Sequence, residues 1–315
     1  MERRRFIQQA GLFTYSALLN PTFNLCSPPF FLNLVPSLIG EDIPNYLNRI
    51  GGDKLNLYRS IAGNANHFKE GDEILGLAAK SDEQRNIART LIENTQLSFV
   101  KENPIHEDDL SRFNNSILSS NLPLNKISFK ELKDYLISTQ DDLEFLANTL
   151  TDDQIAFLVK ICSNEELIVL SSKIFNPLPN SNIGSKGYFG ARIQPNSPTD
   201  NTEDIFMQVL SAFSYGVGDV VIGTNPVDSQ PENIRKIENC LKDIVDTFQI
   251  QDILPYCVLS HIDIQAEIEE KYPDTTKLWF QSLAGTVNAN KTFDLTIEKM
   301  QTYAKLRKGP FGIYA

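Results

Sequence analysis

The sequence predicts an α/β protein in which a helical N-terminal region precedes a partial (β/α)8 TIM-type barrel. From residue 53 to about 175, apolar residues recur at helical spacing behind residues that cap helices. After residue 180, short β-rich runs alternate with longer amphipathic segments. Apolar strands that alternate with helices indicate a parallel sheet with helical crossovers, and the spacing between successive strands is that of a (β/α) barrel.

We predict three parts: a signal-like segment and irregular lead-in at 1–50, the helical region at 51–178, and the first part of the barrel at 179–315. The N-terminus carries three consecutive arginines followed by an apolar stretch, which is the anatomy of an export signal. Two interpretations stay open. The segment is either a twin-arginine signal for export to the periplasm or an amphipathic helix of a protein that remains cytoplasmic.

Capping residues place the helices of the front half. Asp72 and Ser81 each precede an apolar run, Thr151 to Gln154 forms a capping box, and Asn164 opens the next helix. The charged run 106–109 is either a solvated loop or a helix start.

Strands and helices alternate in the back half. The predicted strands are 188–193, 219–223, 256–260, 278–280 and 311–314. The predicted helices are 204–213, 231–248, 264–271 and 293–306. Trp279, in the fourth strand, is predicted to lie in the core.

A doubly wound nucleotide-binding sheet is the competing fold. Its fingerprint is Gly-x-Gly-x-x-Gly between a strand and the following helix. Here Gly216, Gly218 and Gly223 have the third glycine misplaced, and the helix comes before them and the strand after. These glycines therefore predict a turn that begins a strand.

Composition excludes several function classes. The 315 residues carry a formal net charge of −11, which disfavours nucleic acid as a partner. No apolar run is long enough to span a membrane. The four cysteines form no Cys-x-x-Cys pair and the three histidines are scattered, so we predict no metal centre.

Polar side chains follow the predicted strands, where a barrel carries its chemistry. They are Arg192, Gln194, Asn196, Thr224, Asn225, Ser260, His261, Asp263, Gln281 and Ser282. Arg192 and Gln194 are two residues apart and point the same way from a strand. The set suits a small ligand with a hydroxyl or an amine.

A structural role stays open for each of these residues. Arg192 is alternatively a structural ion pair, Gln194, Asn225 and Gln281 are loop caps, and His261 is a packed, hydrogen-bonded histidine. No strand end carries a lysine or a facing pair of carboxylates. Any catalysis is therefore expected to use a cofactor for the difficult step.

Several blocks of sequence occur in the order and spacing of one enzyme family. They are Lys160–Asn164, Phe189–Asn196, Ser214–Val227, Cys257–His261 and Phe280–Ser282, with further agreement at 71–76 and 102–105. On these blocks the chain resembles the large subunit of ethanolamine ammonia-lyase, an adenosylcobalamin-dependent radical enzyme. The resemblance runs from about residue 53 to the end.

The resemblance implies deamination of ethanolamine to acetaldehyde and ammonia. It implies that Arg192 is catalytic and stabilises the substrate oxygen, while Gln194 and Asn225 hold the hydroxyl and the amine. It implies that Pro226 and Gln281 line adenosylcobalamin. The partners implied are ethanolamine and the family's small subunit, in an oligomer.

The chain also departs from the family. The family's substrate-binding glutamate and a later aspartate would lie beyond Ala315, so we predict a chain truncated at its C-terminus, short of the eight strands of a closed barrel. Thr292 stands where the family has an acidic residue beside the adenosyl group. Two alternatives remain: a non-catalytic truncated homologue that binds a small amine or cobalamin, and a barrel lyase of other specificity.

Overall fold

A computed structural model describes residues 32–70, 79–118, 126–140, 143, 146, 148–188, 190–216 and 220–314. The chain divides into two compact units. The first comprises Met1–Ile105, Ser120–Thr139 and Leu150–Ile168, and the second comprises His106–Ser119, Gln140–Thr149 and Val169–Ala315. In the described part of the chain, every helix is too short or too polar to cross a bilayer.

Helices make up the front half of the described chain. They are α1 Ile43–Ile50, α2 Lys54–Asn64, α3 Asp82–Asn94, α4 Leu97–Glu102, α5 Asp109–Ser116, α6 Phe129–Ser138, α7 Asp152–Ile161 and α8 Asn164–Ser171. In the first unit, an aromatic group lies among these helices: the ring centroids of Phe129 and Phe157 are 5.8 Å apart, and Tyr58 lies 6.0 Å from Phe157.

The caps predicted from sequence are confirmed where the structure describes them. Ser81 accepts a hydrogen bond from the backbone of Gln84 at the start of α3. Thr151 and Gln154 exchange side-chain and backbone hydrogen bonds, which is a complete capping box. The prediction at Asp72 lies outside the described residues.

The structure refines three predicted boundaries. Helix α8 begins at Asn164, as predicted, and the preceding Ser163 is its cap, since it exchanges bonds with Glu166. Of the two interpretations of the charged run 106–109, the helix start is confirmed, with Asp108 as the cap of α5. The irregular lead-in predicted to reach residue 50 ends before α1, which begins at Ile43 behind the cap Asp42. Pro44 lies in the first turn of that helix, where proline is tolerated.

The back half alternates strands and helices. Its elements are β1 Ala191–Ile193, α9 Thr202–Ser214, β2 Val220–Thr224, α10 Pro231–Thr247, β3 Tyr256–Val258, α11 Ile262–Lys271, β4 Trp279–Phe280, α12 Val287–Lys291, α13 Ile297–Leu306 and β5 Ile313–Tyr314. Trp279 is 1% exposed, which confirms its place in the core.

The pairs among the five strands that the structure describes are parallel and follow chain order. The register pairs Ala191 with Val220 between β1 and β2, and Ile222 with Tyr256 between β2 and β3. β4 pairs with β5, and a parallel bridge from Leu259 to Phe280 connects β3 to β4. The prediction of an α/β fold with a parallel sheet is confirmed.

The two faces of the sheet differ. One face packs against the helices α9, α10 and α11 through a cluster that includes Ile222, Tyr256 and Val258. The other face carries Val221, Cys257, Leu278, Phe280 and Phe311. Arg192 pairs with Val221 and lies on this second face, at the edge of the sheet where the strands end.

The predicted helix 293–306 was wrong at its start. Asp294 adopts a left-handed backbone (φ 54), and Thr296 caps a helix that begins only at Ile297. Leu295 was expected inside this helix. Its side chain is 2% exposed, but it is buried from a position before the helix begins. The predicted strand 188–193 is likewise shorter, because Tyr188 closes a turn onto Ser185.

Candidate functional site

Arg192 lies on β1, close to the carboxyl end of the sheet. Its Nη2 donates a hydrogen bond to Oδ1 of Asn225 at 3.1 Å, just after β2. Its Cζ lies 4.4 Å from the ring centroid of Phe280 on β4, a cation–π contact. Among the described residues, Arg192 has no ion-pair partner, and its buried Nε has no hydrogen-bond partner. The structural ion pair considered as an alternative for Arg192 is therefore not formed among the described residues.

The parallel register explains why these groups meet. Paired residues of adjacent parallel strands share a face, so Val221 lies on the same side as Arg192, and so does Gly223 two residues later. Gly223 pairs with Cys257 on β3. Burial raises the pKa of Cys257 to about 12, with Arg192 opposing the shift. The thiol is therefore neutral at pH 7, and Arg192 is the charged group of this face.

The loop after β2 is held by side chains that follow β1. Asn196 accepts a hydrogen bond from the backbone N–H of Asn225 at 3.2 Å. The buried Asp200 accepts from the backbone of Val227 at 2.9 Å and of Asp228 at 2.8 Å. It also accepts from the side chain of Asn233 at 2.8 Å. These bonds fix the loop that carries Asn225 and Pro226.

The remaining residues predicted on the first two strands lie at the same edge. Gln194 follows Arg192 at the end of β1, and its side chain is exposed. Asn225 is exposed and Pro226 is half-buried. The structure therefore brings Arg192 and Asn225 into contact, and places Gln194 and Pro226 beside them along the chain.

Gln281 and His261 have structural partners. Gln281 is 6% exposed, accepts from the backbone of Ile262 at 2.8 Å and donates to the carbonyl of Ser282 at 2.8 Å. His261 caps α11 through its Nδ1, and its Nε2 lies 2.9 Å from the carbonyl of Phe293. Gln281 thus forms the cap considered as an alternative, and His261 is a packed, hydrogen-bonded histidine.

His261, Asp263 and Asp294 offer ligand atoms within 4.8 Å of one another. The ammonium of Lys299 lies among the carboxylates, 3.0 Å from Asp263 and 2.7 Å from Asp294. A lysine there supplies the positive charge that a metal ion would otherwise bring. Thr292 ends α12 nearby, and its hydroxyl donates to the carbonyl of Ala289 at 2.7 Å.

Comparison with known proteins decides the family. The family model described as "Ethanolamine ammonia lyase large subunit (EutB)" matches residues 54–311. The chain belongs to the family of ethanolamine ammonia-lyase large subunits. It is 32% identical over 251 residues to the ethanolamine ammonia-lyase large subunit of Escherichia coli strain K12, covering 76% of this chain and 54% of that protein.

A second relative gives the same result. The ethanolamine ammonia-lyase large subunit of Salmonella typhimurium strain LT2 is 31% identical over 252 residues, with 76% of this chain and 54% of the relative covered. The chain thus spans about half the length of the curated ethanolamine ammonia-lyase large subunits that it matches. The matched region contains Arg192 and the strand ends beside it.

Three residues beside the site were not among the predicted site residues: Asp200, Gly223 and Phe280. Asp200 has a sequence signal, since an acid shortly after a strand end in a Pro-Thr-Asp-Asn turn is a common loop anchor. Phe280 was expected in the fourth strand and in one of the blocks shared with the family, and Gly223 was expected in the second strand. No contact of either residue with Arg192 was predicted. Their contacts to Arg192 depend on strand register, which the sequence does not display.

Proposed function

We propose that this protein acts as the large subunit of an ethanolamine ammonia-lyase that converts ethanolamine to acetaldehyde and ammonia. The proposal rests on one observation: in a chain of this family, Asn225 and Phe280 hold the guanidinium of Arg192 at the strand ends. We infer that the enzyme uses adenosylcobalamin, and that its partners are a small subunit and further copies in an oligomer.

We also infer that the parallel strands are the first five of a (β/α)8 barrel. Three features support this inference. The strands are parallel and follow chain order, helices pack on one face, and the other face carries apolar side chains beneath Arg192. A closed barrel has this arrangement, with its active site at the carboxyl ends of the strands.

Arg192 is the catalytic residue of this proposal. One of its N–H groups is directed to Asn225, which orients the guanidinium and leaves other donors for the substrate oxygen. A fixed cation stabilises negative charge that develops on that oxygen during rearrangement. The ring of Phe280 keeps water from one side of the guanidinium, which strengthens its field.

Gln194 and Asn225 are the substrate-binding residues. Ethanolamine is a cation at neutral pH, so its ammonium group is repelled by Arg192 and requires acceptors. The amide oxygen of Gln194 is an acceptor at the same edge, and so is Oδ1 of Asn225, which keeps a second lone pair beside the one that accepts from Arg192. We therefore assign the hydroxyl end of the substrate to Arg192 and the ammonium end to the amides. The net charge of −11 favours the approach of a cation.

Pro226 and Gln281 are the residues proposed to line adenosylcobalamin. Pro226 presents a half-buried ring in a loop anchored by Asp200, which suits contact with a large, flat cofactor. Gln281 uses one N–H and one oxygen lone pair in its cap. The side-chain amide of Gln281 has a second N–H and a second oxygen lone pair, which can bond to the cofactor. Pro226 and Gln281 therefore both fit a position beside adenosylcobalamin. The cofactor, when bound, supplies the radical chemistry, and the protein holds the substrate in place.

The test compares two arginine variants in the enzyme assembled with a small subunit and adenosylcobalamin. R192A is expected to lower ethanolamine turnover about 100-fold or more, because a preorganised donor to the substrate oxygen is lost. R112A is the matched control, since Arg112 is exposed and paired only with acidic side chains of its own segment among the described residues. Turnover by R192A equal to that of the unmodified protein would overturn the assignment.

A further inference from the structure

We propose that Gly223 is a positioning residue: its lack of a side chain creates the seat in which the guanidinium of Arg192 lies over the sheet. The position of Arg192 follows from contacts within this chain alone. Its consequence for turnover rests on the proposed function.

The space above Gly223 is filled by Arg192. A Cβ atom at Gly223 would lie 2.6 Å from Nε and 3.1 Å from Cζ of Arg192. It would also lie 3.0 Å from Sγ of Cys257. Any side chain at this position therefore occupies the place of the guanidinium.

Backbone conformation does not explain the glycine. Gly223 lies inside β2, paired with Cys257, and its φ is outside the left-handed region that favours glycine. Glycine weakens the interior of a strand, and its presence there often marks the close approach of another group. Here that group is the guanidinium of Arg192.

Two further contacts complete the seat. Phe280 lies 4.4 Å from Cζ of Arg192, and Asn225 accepts from Nη2 at 3.1 Å. Nε is the atom nearest to Gly223, and it is also the atom that is buried without a hydrogen-bond partner among the described residues. Gly223 thus determines how deeply the guanidinium sits, while Asn225 determines its direction.

An alanine at position 223 is expected to move Arg192 rather than to unfold the protein. Two of the three colliding atoms belong to the flexible side chain of Arg192, which can retreat by about 1 Å to an ordinary contact distance. The third atom is Sγ of Cys257 at 3.0 Å, which has to give by only a few tenths of an ångström. A misplacement of about 1 Å in a catalytic constellation can lower the rate by about 100-fold.

The first readout is the position of Arg192, independent of activity. In the full chain, the ¹H–¹⁵N resonance of the Arg192 Nε–H is identified by its loss in R192K. We expect G223A to shift it, because the group moves relative to the Phe280 ring. The control is G285A, since a Cβ at Gly285 meets nothing within 4 Å. An unshifted Arg192 resonance in G223A would overturn the seat.

The second readout is turnover in the assembled enzyme. We expect G223A to lower kcat for ethanolamine about 100-fold with Tm nearly unchanged, and G285A to stay within about twofold of the unmodified protein. A shifted resonance with unchanged kcat would overturn the catalytic consequence. If the unmodified protein shows no turnover while G223A still shifts the resonance, the proposed function is contradicted and the position of Arg192 over Gly223 is still supported.

If G223A loses stability, the double variant R192A/G223A decides the cause. Removal of the Arg192 side chain takes away Nε and Cζ, which are two of the three atoms closest to the new methyl group. The third atom, Sγ of Cys257, stays in place. Recovery of most of the lost Tm in the double variant supports the seat. No recovery would show that Gly223 serves the strand and not Arg192.

Discussion

Glu238 provides a sharp test of the packing beneath the sheet. It lies on α10 and is 1% exposed, and its Oε2 accepts a hydrogen bond from the hydroxyl of Thr276 at 3.0 Å. Among the described residues, Oε1 is buried without a partner. Burial raises the pKa of Glu238 from 4.5 to about 7; the Thr276 bond and Arg307 oppose the shift, while Glu269 adds to it.

The sign of the pH dependence follows from this direction. Between about pH 4.5 and 7 the folded protein keeps a proton that the unfolded chain releases, so stability falls as the pH rises. Above about pH 7 the full penalty applies, which corresponds to about 3 kcal/mol for a shift of this size. Glutamine is neutral at every pH, and E238Q is expected to avoid the penalty.

Thermal unfolding measured across this pH range checks the expectation. Tm of E238Q should rise relative to that of the unmodified protein from pH 5 to pH 8, by several degrees in total. E232Q is the control on the same helix. Glu232 bonds to Arg235, which lowers its pKa, so E232Q should gain nothing at high pH. A pH-independent difference between E238Q and the unmodified protein would refute the reasoning.

Two further predictions concern carboxylates that hold loops in the second unit. D200N should lower the free energy of unfolding by about 2 kcal/mol and reduce turnover, because the charge-assisted bonds to the loop of Asn225 weaken. Denaturant unfolding and the activity assay measure the two effects. No change in either quantity would contradict this role of Asp200. Asp108 accepts from the backbone of Ser111 and Val287, which holds its pKa well below the ordinary value. Its contribution to stability should therefore persist above about pH 4 and disappear as the pH falls further, and D108N should flatten the acid limb of the Tm–pH curve. An acid limb unchanged in D108N would refute this role.

Much of the fold was predictable because its signals are local. Helix caps such as Ser81 and Thr151 can be recognised from four residues of sequence, and buried strands appear as short β-rich runs. The failure at 293–306 has a local cause as well. Phe293 continues the apolar pattern of the helix, but the left-handed Asp294 and the cap at Thr296 prevent a helix from starting there.

The candidate site was predictable only in part. Arg192 and Asn225 were expected at one edge because the carboxyl ends of parallel strands meet there, and the structure joins them. The roles of Asp200 and Gly223 depend on partners on other segments, 27 to 34 residues away along the chain. Gln281 shows the opposite case. A glutamine can contact a ligand or cap a loop, and its role as a cap depends on the backbone of Ile262, which only the folded chain brings to it.

The most direct measurement of the proposed activity is product formation. The protein, assembled with a small subunit of the family and adenosylcobalamin, is incubated with ethanolamine, and acetaldehyde and ammonia are quantified. We expect both products in equal amounts, with their formation dependent on the cofactor and abolished or strongly reduced in R192A. Ethanolamine binding without either product would contradict the lyase activity and indicate a non-catalytic amine-binding protein.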